Sequence, residues 1–410
     1  IENCIRNKRY KDLSFKDAKE KFSHLMKNSL KKRVHSDVTI GTYLSGGIDS
    51  SIISLNLKNI SNQKMLAHNI SFNEKKYDET KYAEYISKTV NHDLKIYSMP
   101  SPKEISLDFS EIVEAMDQPM ADTAFISNFY LSKFSKKYSK VVFTGDGADE
   151  MLCGYETYLA DVFKKMFEKM PPIMTNSIKK ILTFFYKLNP DEKVSFNYKI
   201  NKFFENLYND PREAHISWRS IFNENEKKKL SSNYIKEKVF LEKIFEKYKL
   251  VEDLNYLDQH MFLDLITWFP NDILYKVDRT TMHHSQEGRM PFLDTNIIEF
   301  CCSLPLSYKL NLFNKKYILK DILKQSIGKK NLNRKKSGFN SPIGTWIKKD
   351  KIFQELTYSL LTSENLKNYF KKTELERYFD DHLKGYQDNT YKIFTIMVLS
   401  QWMINNKLKF

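Results

Sequence analysis

Glycine, proline and cysteine are all scarce, at 11, 11 and 4 of 410 residues. Cys4, Cys153, Cys301 and Cys302 show no C-x-x-C spacing and no histidines at zinc-finger distances. That excludes a zinc finger and predicts reduced, partly buried thiols. Adjacent Cys301 and Cys302, in "IIEFCCSLPL", are expected on a helix that packs inward. No apolar run is long enough to span a bilayer, and the opening "IENCIRNKRYKDLS" lacks the apolar stretch of a signal peptide. The expectation is a cytosolic protein with no membrane partner. Internal repeats and low-complexity linkers are missing too. Ile1 stands where an initiator methionine would, which predicts further chain upstream.

What is present suits a packed protein. Hydrophobic residues make up 41% and aromatics 14%, and the length allows two domains or one domain with a large insertion. The net charge of +15 raises the question of nucleic acid. The lysines, however, are spread through nearly every segment, so a solvated basic surface is expected, part of it serving anionic phosphates. Nucleic acid is not an expected partner.

The order of elements points to an α/β fold. Strand-like runs occupy 37–44, 65–72 and 94–99, and a fourth opens "KVVFTGDGADEMLCGY" at 140. Helical patterns separate them, one of them at 78–90 with Asp78 as its expected N-cap. Alternation of this kind predicts a parallel sheet covered on both faces. From 156 onward the periods are helical, with breaks at "MPPIM" and "NPDEK". The boundaries expected are an N-terminal linker and helix at 1–35, an α/β core at 36–155, a helical insertion at 156–250 and a helical C-terminal part at 251–410.

Two of the eleven glycines stand side by side in "TYLSGGIDSSII", at 42–53. A strand entering S-G-G-x-D-S and leaving as a helix sets backbone N–H groups at a helix N-terminus, which favours an anion. Gly46 and Gly47 have no Cβ to keep that anion away, and Ser45, Ser50 and Ser51 add hydroxyls. Asp49 would repel a phosphate unless a cation lay between them, so it implies Mg2+. No Walker A sequence occurs. By average residue usage the five fixed residues would arise by chance on the order of once in a few thousand chains.

"TGDGADE", at 144–150, repeats the logic after the fourth strand. One or two acids would suffice for helix capping, whereas Asp146, Asp149 and Glu150 make three among two glycines. In a parallel sheet the carboxyl ends of the strands share one edge, so Asp49 and Asp149 are expected to converge on one metal. Adjacent His283 and His284 point in different directions on a helix and are expected to be structural. Arg289, in "EGRMPFLD", suits either a clamp on a substrate carboxylate or phosphate or a structural salt bridge. Lys336 is a weaker phosphate candidate.

The S-G-G-x-D-S turn resembles the pyrophosphate loop of ATP pyrophosphatase-type enzymes. Taken with "TGDGADEMLCGY", "KVDRTTMHHSQEGRMPFLD", "NKKYILKDIL" and "RKKSGFNSPIGTWI", the chain resembles the synthetase domain of glutamine-dependent asparagine synthetases. The motifs run in family order from about "RYKDLSFKDA" to past Trp346. The resemblance implies an ATP pyrophosphatase core with a large helical insertion. It also implies MgATP-dependent adenylation of the aspartate side chain, then ammonia attack giving asparagine, AMP and pyrophosphate. Ser45, Gly46, Gly47, Asp49 and Ser50 would cradle pyrophosphate. Leu44, Ile70, Thr144 and Gly145 match adenosine-binding positions, and Asp49 and Asp149 match Mg2+ ligands. Asp146 stands where many relatives carry a glutamate tied to the aspartyl-AMP step. Glu150 matches a substrate-side carboxylate, and Lys316 a lysine that stabilises charge during adenylation.

The glutaminase half of the family is missing from the sequence, and Cys4 cannot supply its nucleophile. Ammonia is expected from that missing domain, and a homodimer is one assembly compatible with the resemblance. A related ligase acting on another carboxylate (β-lactam synthetase-like, peptide-cyclising or sugar-acid amidating) is the alternative. A tRNA-modifying enzyme with the same loop is more remote, because thiolating versions need paired cysteines.

Overall fold

The computed structural model describes residues 1–60, 64–188, 196–234, 239–332 and 339–408. Its backbone contacts divide the chain into two units. The first comprises Ile1–Met99, Phe125–Tyr155 and Val239–Phe339; the second comprises Pro100–Ala124, Glu156–Lys238 and Asn340–Phe410.

The first unit carries a five-stranded sheet of β1 (Ile40–Tyr43), β2 (Leu66–Ser71), β3 (Asp93–Ser98), β4 (Val141–Phe143) and β5 (Glu287–Arg289). Every pairing is parallel and the order is β3-β2-β1-β4-β5. The α/β class with a parallel sheet is as the sequence predicts. The chain starts at the centre, moves outward through β2 and β3, then returns to the other side of β1. The carboxyl ends of β1 and β4 therefore form the switch point at which ligands enter sheets of this kind.

β5 has no signal in the sequence, because three residues reading Glu-Gly-Arg show no apolar period. Its place is fixed from outside, by Glu287 N–H donating to Lys140 O (2.8 Å) and by Arg289 O accepting from Thr144 N–H (2.9 Å). At the opposite edge β3 is mostly exposed and carries Asp93 and Lys95, charges that discourage pairing with another sheet.

Helix Phe15–Arg33 shows how the sheet is covered. Ser14 Oγ accepts from Asp17 N–H and starts it, and Ala18, Phe22, Met26 and Leu30 recur every four residues on its buried face. Phe22 meets Phe292 and Phe300. Full burial of each large side chain contributes about 1.5–3 kcal/mol. Helix Ile48–Lys58 buries Ile52, Ile53 and Leu57, while Ile48 is only partly buried against the same core.

The helix between β2 and β3 runs Thr80–Val90, so its cap position is Glu79, which makes no side-chain cap bond. Asp78 lies one residue earlier than a cap should, yet its Oδ1 accepts from Thr80 Oγ1 (2.6 Å) and Thr80 N–H (3.3 Å). It therefore stabilises the same helix start. Cys153, Cys301 and Cys302 are buried and Cys4 partly so, and none of the four is in a disulfide. Burial pushes the Cys302 thiol up to about 11, which keeps it protonated and inert.

Among the described residues the named elements of the second unit are all helices, apart from an isolated bridge between Ser231 and Phe370. Pro102–Glu114 opens on a capping box formed by Ser101 and Glu104. Helices Glu156–Phe167 and Pro211–Arg219 are joined by a buried pair, Asp161 Oδ2 with His215 Nδ1 at 2.9 Å. Lys164, also buried, donates to Leu207 O (2.5 Å). Polar groups so enclosed stay only where a partner meets them.

Candidate active site

The two glycine turns meet at the switch point. Register pairs Thr42 with Phe143, so Leu44 and Ser45 leave β1 beside Thr144 and Gly145 leaving β4. Leu44 and Ile70 are buried at the ends of their strands, and Leu44 N–H donates to His68 O (2.9 Å). Gly46 has φ +70°, and a Cβ there would lie 2.5 Å from Tyr82 C and 2.7 Å from Ala83 N. No other residue fits that position without moving the backbone.

Gly47 precedes helix Ile48–Lys58, and its N–H donates to Ser45 Oγ (3.1 Å). The first full helical bond runs from Ser51 N–H to Gly47 O (3.0 Å), so the N–H groups ahead of it have no carbonyl within the helix. Ser51 Oγ is buried and makes no hydrogen bond among the described residues.

The second turn comes within contact of the first. A Cβ on Gly145 would stand 2.8 Å from Asp49 Cβ and 3.2 Å from Ser50 N. Beyond it, Gly147 takes φ +101° and leads into the short helix Ala148–Met151, which carries Asp149 and Glu150.

Lys316 reaches this edge from far along the chain. It follows the hairpin of Leu310–Asn311 and Asn314–Lys315, has φ +51°, and is held by its N–H donating to Leu152 O (3.2 Å). Its Nζ lies 2.7 and 2.6 Å from the two Asp49 carboxylate oxygens and 2.6 Å from Asp149 Oδ1. The lysine side chain is only 4% exposed. The neighbouring wall is Gly154, where a Cβ would fall 1.9 Å from Asp149 Oδ1 and 2.2 Å from Lys316 Cε. Asp49, Asp149 and Lys316 are therefore brought together as one cluster.

Two further carboxyls lie in the second turn. Burial raises Asp146 above the usual carboxylate range, with Asp49 and Asp149 adding to the rise; the Thr144 hydroxyl and Lys276 oppose it. Glu150 is fully buried and pushed up to about 8, first by burial and then by Asp149, against a 2.5 Å hydrogen bond from Tyr155 Oη.

Lys276 and Tyr155 are site residues that sequence reasoning missed. Lys276 is 6% exposed, 3.7 Å from Asp272, on helix Tyr275–His283. That helix follows a π-helical stretch, Phe269–Leu274, whose Phe269 ring would lie 3.4 Å from a Cβ on Gly147. One lysine among 66 basic residues gives no sequence signal until the fold buries it beside an acid.

Similarity to known proteins agrees with this arrangement. The asparagine synthase family model matches residues 21–404. The chain belongs to the asparagine synthase family. Asparagine synthetase (glutamine-hydrolyzing) 1 of Bacillus subtilis is 28% identical over 378 residues, covering 92% of this chain and 57% of that protein. A putative asparagine synthetase (glutamine-hydrolyzing) of Mycobacterium tuberculosis is 25% identical over 395 residues, with coverage of 93% and 57%. Amidase chry2 of Gibberella zeae is more distant, 23% identical over 350 residues and 77% of this chain. The chain thus spans a little over half the length of the first two relatives.

Family membership supports an ATP-dependent ligase, and the remaining candidates sort themselves by contact. Arg289 donates to Glu287 (2.8 Å) and to the backbone oxygens of Arg33 (2.5 Å) and His35 (2.9 Å), which makes it a brace between chain segments. His284 is buried, with Nδ1 2.7 Å from Ser132 Oγ and its ring edge-on to Phe129 at 4.6 Å. Exposed His283 also packs against Phe129. Lys336 lies outside the described residues.

Proposed function

We propose that this chain is the amide-forming part of an asparagine synthetase, which adenylates the aspartate side-chain carboxylate with MgATP and transfers ammonia to it. The observation that carries this reading is Lys316 clasped by Asp49 and Asp149, carboxylates from two separate glycine turns at the switch point. A buried ammonium between two acids marks a place where the protein itself requires positive charge.

The residues present fit Mg2+, which is bound through hard oxygen ligands. Asp49 and Asp149 offer carboxylate oxygens, and the clasped ammonium shows that one cation can reach both. When bound, Mg2+ would neutralise charge on the departing pyrophosphate. Lys316, whose ammonium lies at the same carboxylates, would supply positive charge to the α-phosphate during adenylation.

The chain's own groups would then act as follows. Backbone N–H groups from Gly46 to Ser50, with the hydroxyls of Ser45, Ser50 and Ser51, hold the phosphates. Leu44, Ile70, Thr144 and Gly145 hold the adenosine part. In the first step an aspartate oxygen bonds to the α-phosphorus as the bond to the β-phosphate oxygen breaks. In the second, the nitrogen of ammonia bonds to the acyl carbon, AMP departs and one proton is lost. A carboxylate of the second turn, Asp146, would receive it, and Glu150 would lie on the substrate side. Ammonia would come from a glutaminase domain, in keeping with the glutamine hydrolysis that the two bacterial relatives carry in their names.

The test is isotope exchange between ATP and pyrophosphate, measured with aspartate and with other carboxylates, followed by asparagine formation from ammonium. Aspartate should support both reactions. Exchange that requires a different carboxylate would move the chain to another amide-forming ligase, and no exchange with any carboxylate would sink the adenylation reading. Asp49→Asn should abolish exchange, and because Asp149 still pairs with Lys316 it should lower the thermal midpoint less than Lys316→Ala does; exchange within a few-fold of wild type would remove Asp49 from the metal site.

A further inference from the structure

Helix Pro172–Leu188 of the second unit has two apolar faces and packs only one of them. Thr175 is buried, its Oγ1 2.8 Å from Tyr208 Oη, and Ile178 and Leu182 are partly buried on the same side. The other side is open. Ile173 is 81% exposed, Met174 52%, Ile181 55%, Phe184 61% and Phe185 57%. At 100° per residue these five fall within an arc of about 120°. Exposed apolar residues scattered singly are ordinary, whereas a stripe along one helix needs an occupant.

The charge around the stripe says which occupant. Residues 164–185 contain five lysines and one acid, Glu168, whose carboxylate is 3.1 Å from Lys164. Lys180 is exposed at the border of the stripe, and exposed Lys165 and Lys169 lie just before the helix. An apolar stripe with a basic margin fits an anionic lipid surface, where the rings and aliphatic chains enter the acyl boundary and lysines meet headgroup phosphates. A second copy of the chain fits less well. Two-fold pairing of the stripes would bring each Lys180 toward its counterpart, and like charges at such an interface oppose it.

We propose that this helix docks the protein on the surface of an anionic membrane. It would lie in the interface and not cross the bilayer; no helix among the described residues is long and apolar enough to cross one. The proposal revises the expectation of no membrane partner, which rested on the lack of a spanning run. A two-faced apolar helix passes such a search unnoticed.

Sedimentation of the full chain with vesicles tests it. Vesicles of phosphatidylcholine with one third phosphatidylglycerol should carry the protein down, less so as salt rises, and phosphatidylcholine alone should carry down little. Ile181→Ser with Phe184→Ser should abolish pelleting. Lys169→Ala with Lys180→Ala should weaken the partition coefficient about thirty-fold. All four side chains belong to the second unit and the glycine turns to the first, so circular dichroism melting and ATP–pyrophosphate exchange report intact folding in the same samples. No pelleting with anionic vesicles would overturn the proposal, as would pelleting that survives the serine variant. A concentration-dependent dimer that the serine variant dissolves, without vesicle binding, would overturn it in favour of a second copy.

Discussion

Replacing Lys316 by alanine removes one ammonium from between two carboxylates and leaves these facing each other. The three charged side chains are 4, 16 and 15% exposed, so water screens them poorly. With an effective dielectric of about 20, opposite charges 2.6 Å apart attract by about 6 kcal/mol before desolvation is counted. Desolvation cancels much of that, and breaking a buried pair by removing one partner costs about 3–5 kcal/mol. Lys316→Ala should therefore lower stability by about 3–5 kcal/mol in urea unfolding. Lys315→Ala, on the same hairpin but partly exposed, should cost under about 1 kcal/mol. Mg2+ should restore part of the loss in Lys316→Ala and raise wild type less, because the variant leaves its carboxylates to the metal. Formation of the acyl-adenylate should slow on the order of a hundred- to a thousand-fold, with nucleotide affinity little changed. Equal stability and equal rates for the two variants would show that Lys316 is one more solvated lysine.

Gly154→Ala should destabilise by about 1–3 kcal/mol in thermal unfolding, because its Cβ would fall 1.9 Å from Asp149 Oδ1; unchanged stability would mean that this wall yields easily. Gly46→Ala combines a left-handed backbone with a 2.5 Å approach to Tyr82 C, so it should cost more than the roughly 1 kcal/mol of a left-handed conformation alone. His68 is buried between Tyr97 Oη and Ser139 Oγ, and burial holds its ring down to about 4 against the usual 6.5. The unfolded chain then takes up a proton that the folded one refuses. The stability that neutral His68 supports is complete above pH 6.5 and is lost as pH falls toward about 4, by up to about 3 kcal/mol. His68→Gln should remove that part of the slope in urea titrations at pH 7, 5.5 and 4.5; an unchanged slope would place the acid sensitivity elsewhere.

Much of this was legible in advance because the signals were local. β1, β2 and β4 each sit inside an apolar run bounded by turn residues, β3 overlaps the run expected at 94–99, and S-G-G-x-D-S is conspicuous in a chain so poor in glycine. β5 was not legible, since its extended backbone is imposed by neighbours instead of by its own side chains. Asp78 was read one residue out, because an aspartate just before a cap and an aspartate at a cap look alike in sequence. Arg289 could be narrowed only to a clamp or a brace, and only the positions of Glu287 and the Arg33 carbonyl separate the two.

The sequence by itself determined which backbone could turn without side chains, which carboxylates stood beside those turns, and that strands and helices would alternate up to residue 155. Each is a property of neighbours along the chain, where propensity and spacing act. Tertiary structure decided the rest. Only parallel register brings Asp49 and Asp149 to one edge, and only the hairpin before Lys316 carries a lysine 267 positions from Asp49 to within 2.6 Å of it. Burial raised Glu150 to about 8 and turned Lys276 from one basic residue among many into a charge acting on Asp146. It also left the stripe from Ile173 to Phe185 uncovered, although its periodicity matches that of a core helix. Exposure and electrostatic environment depend on what the rest of the chain brings nearby, and no local pattern encodes that.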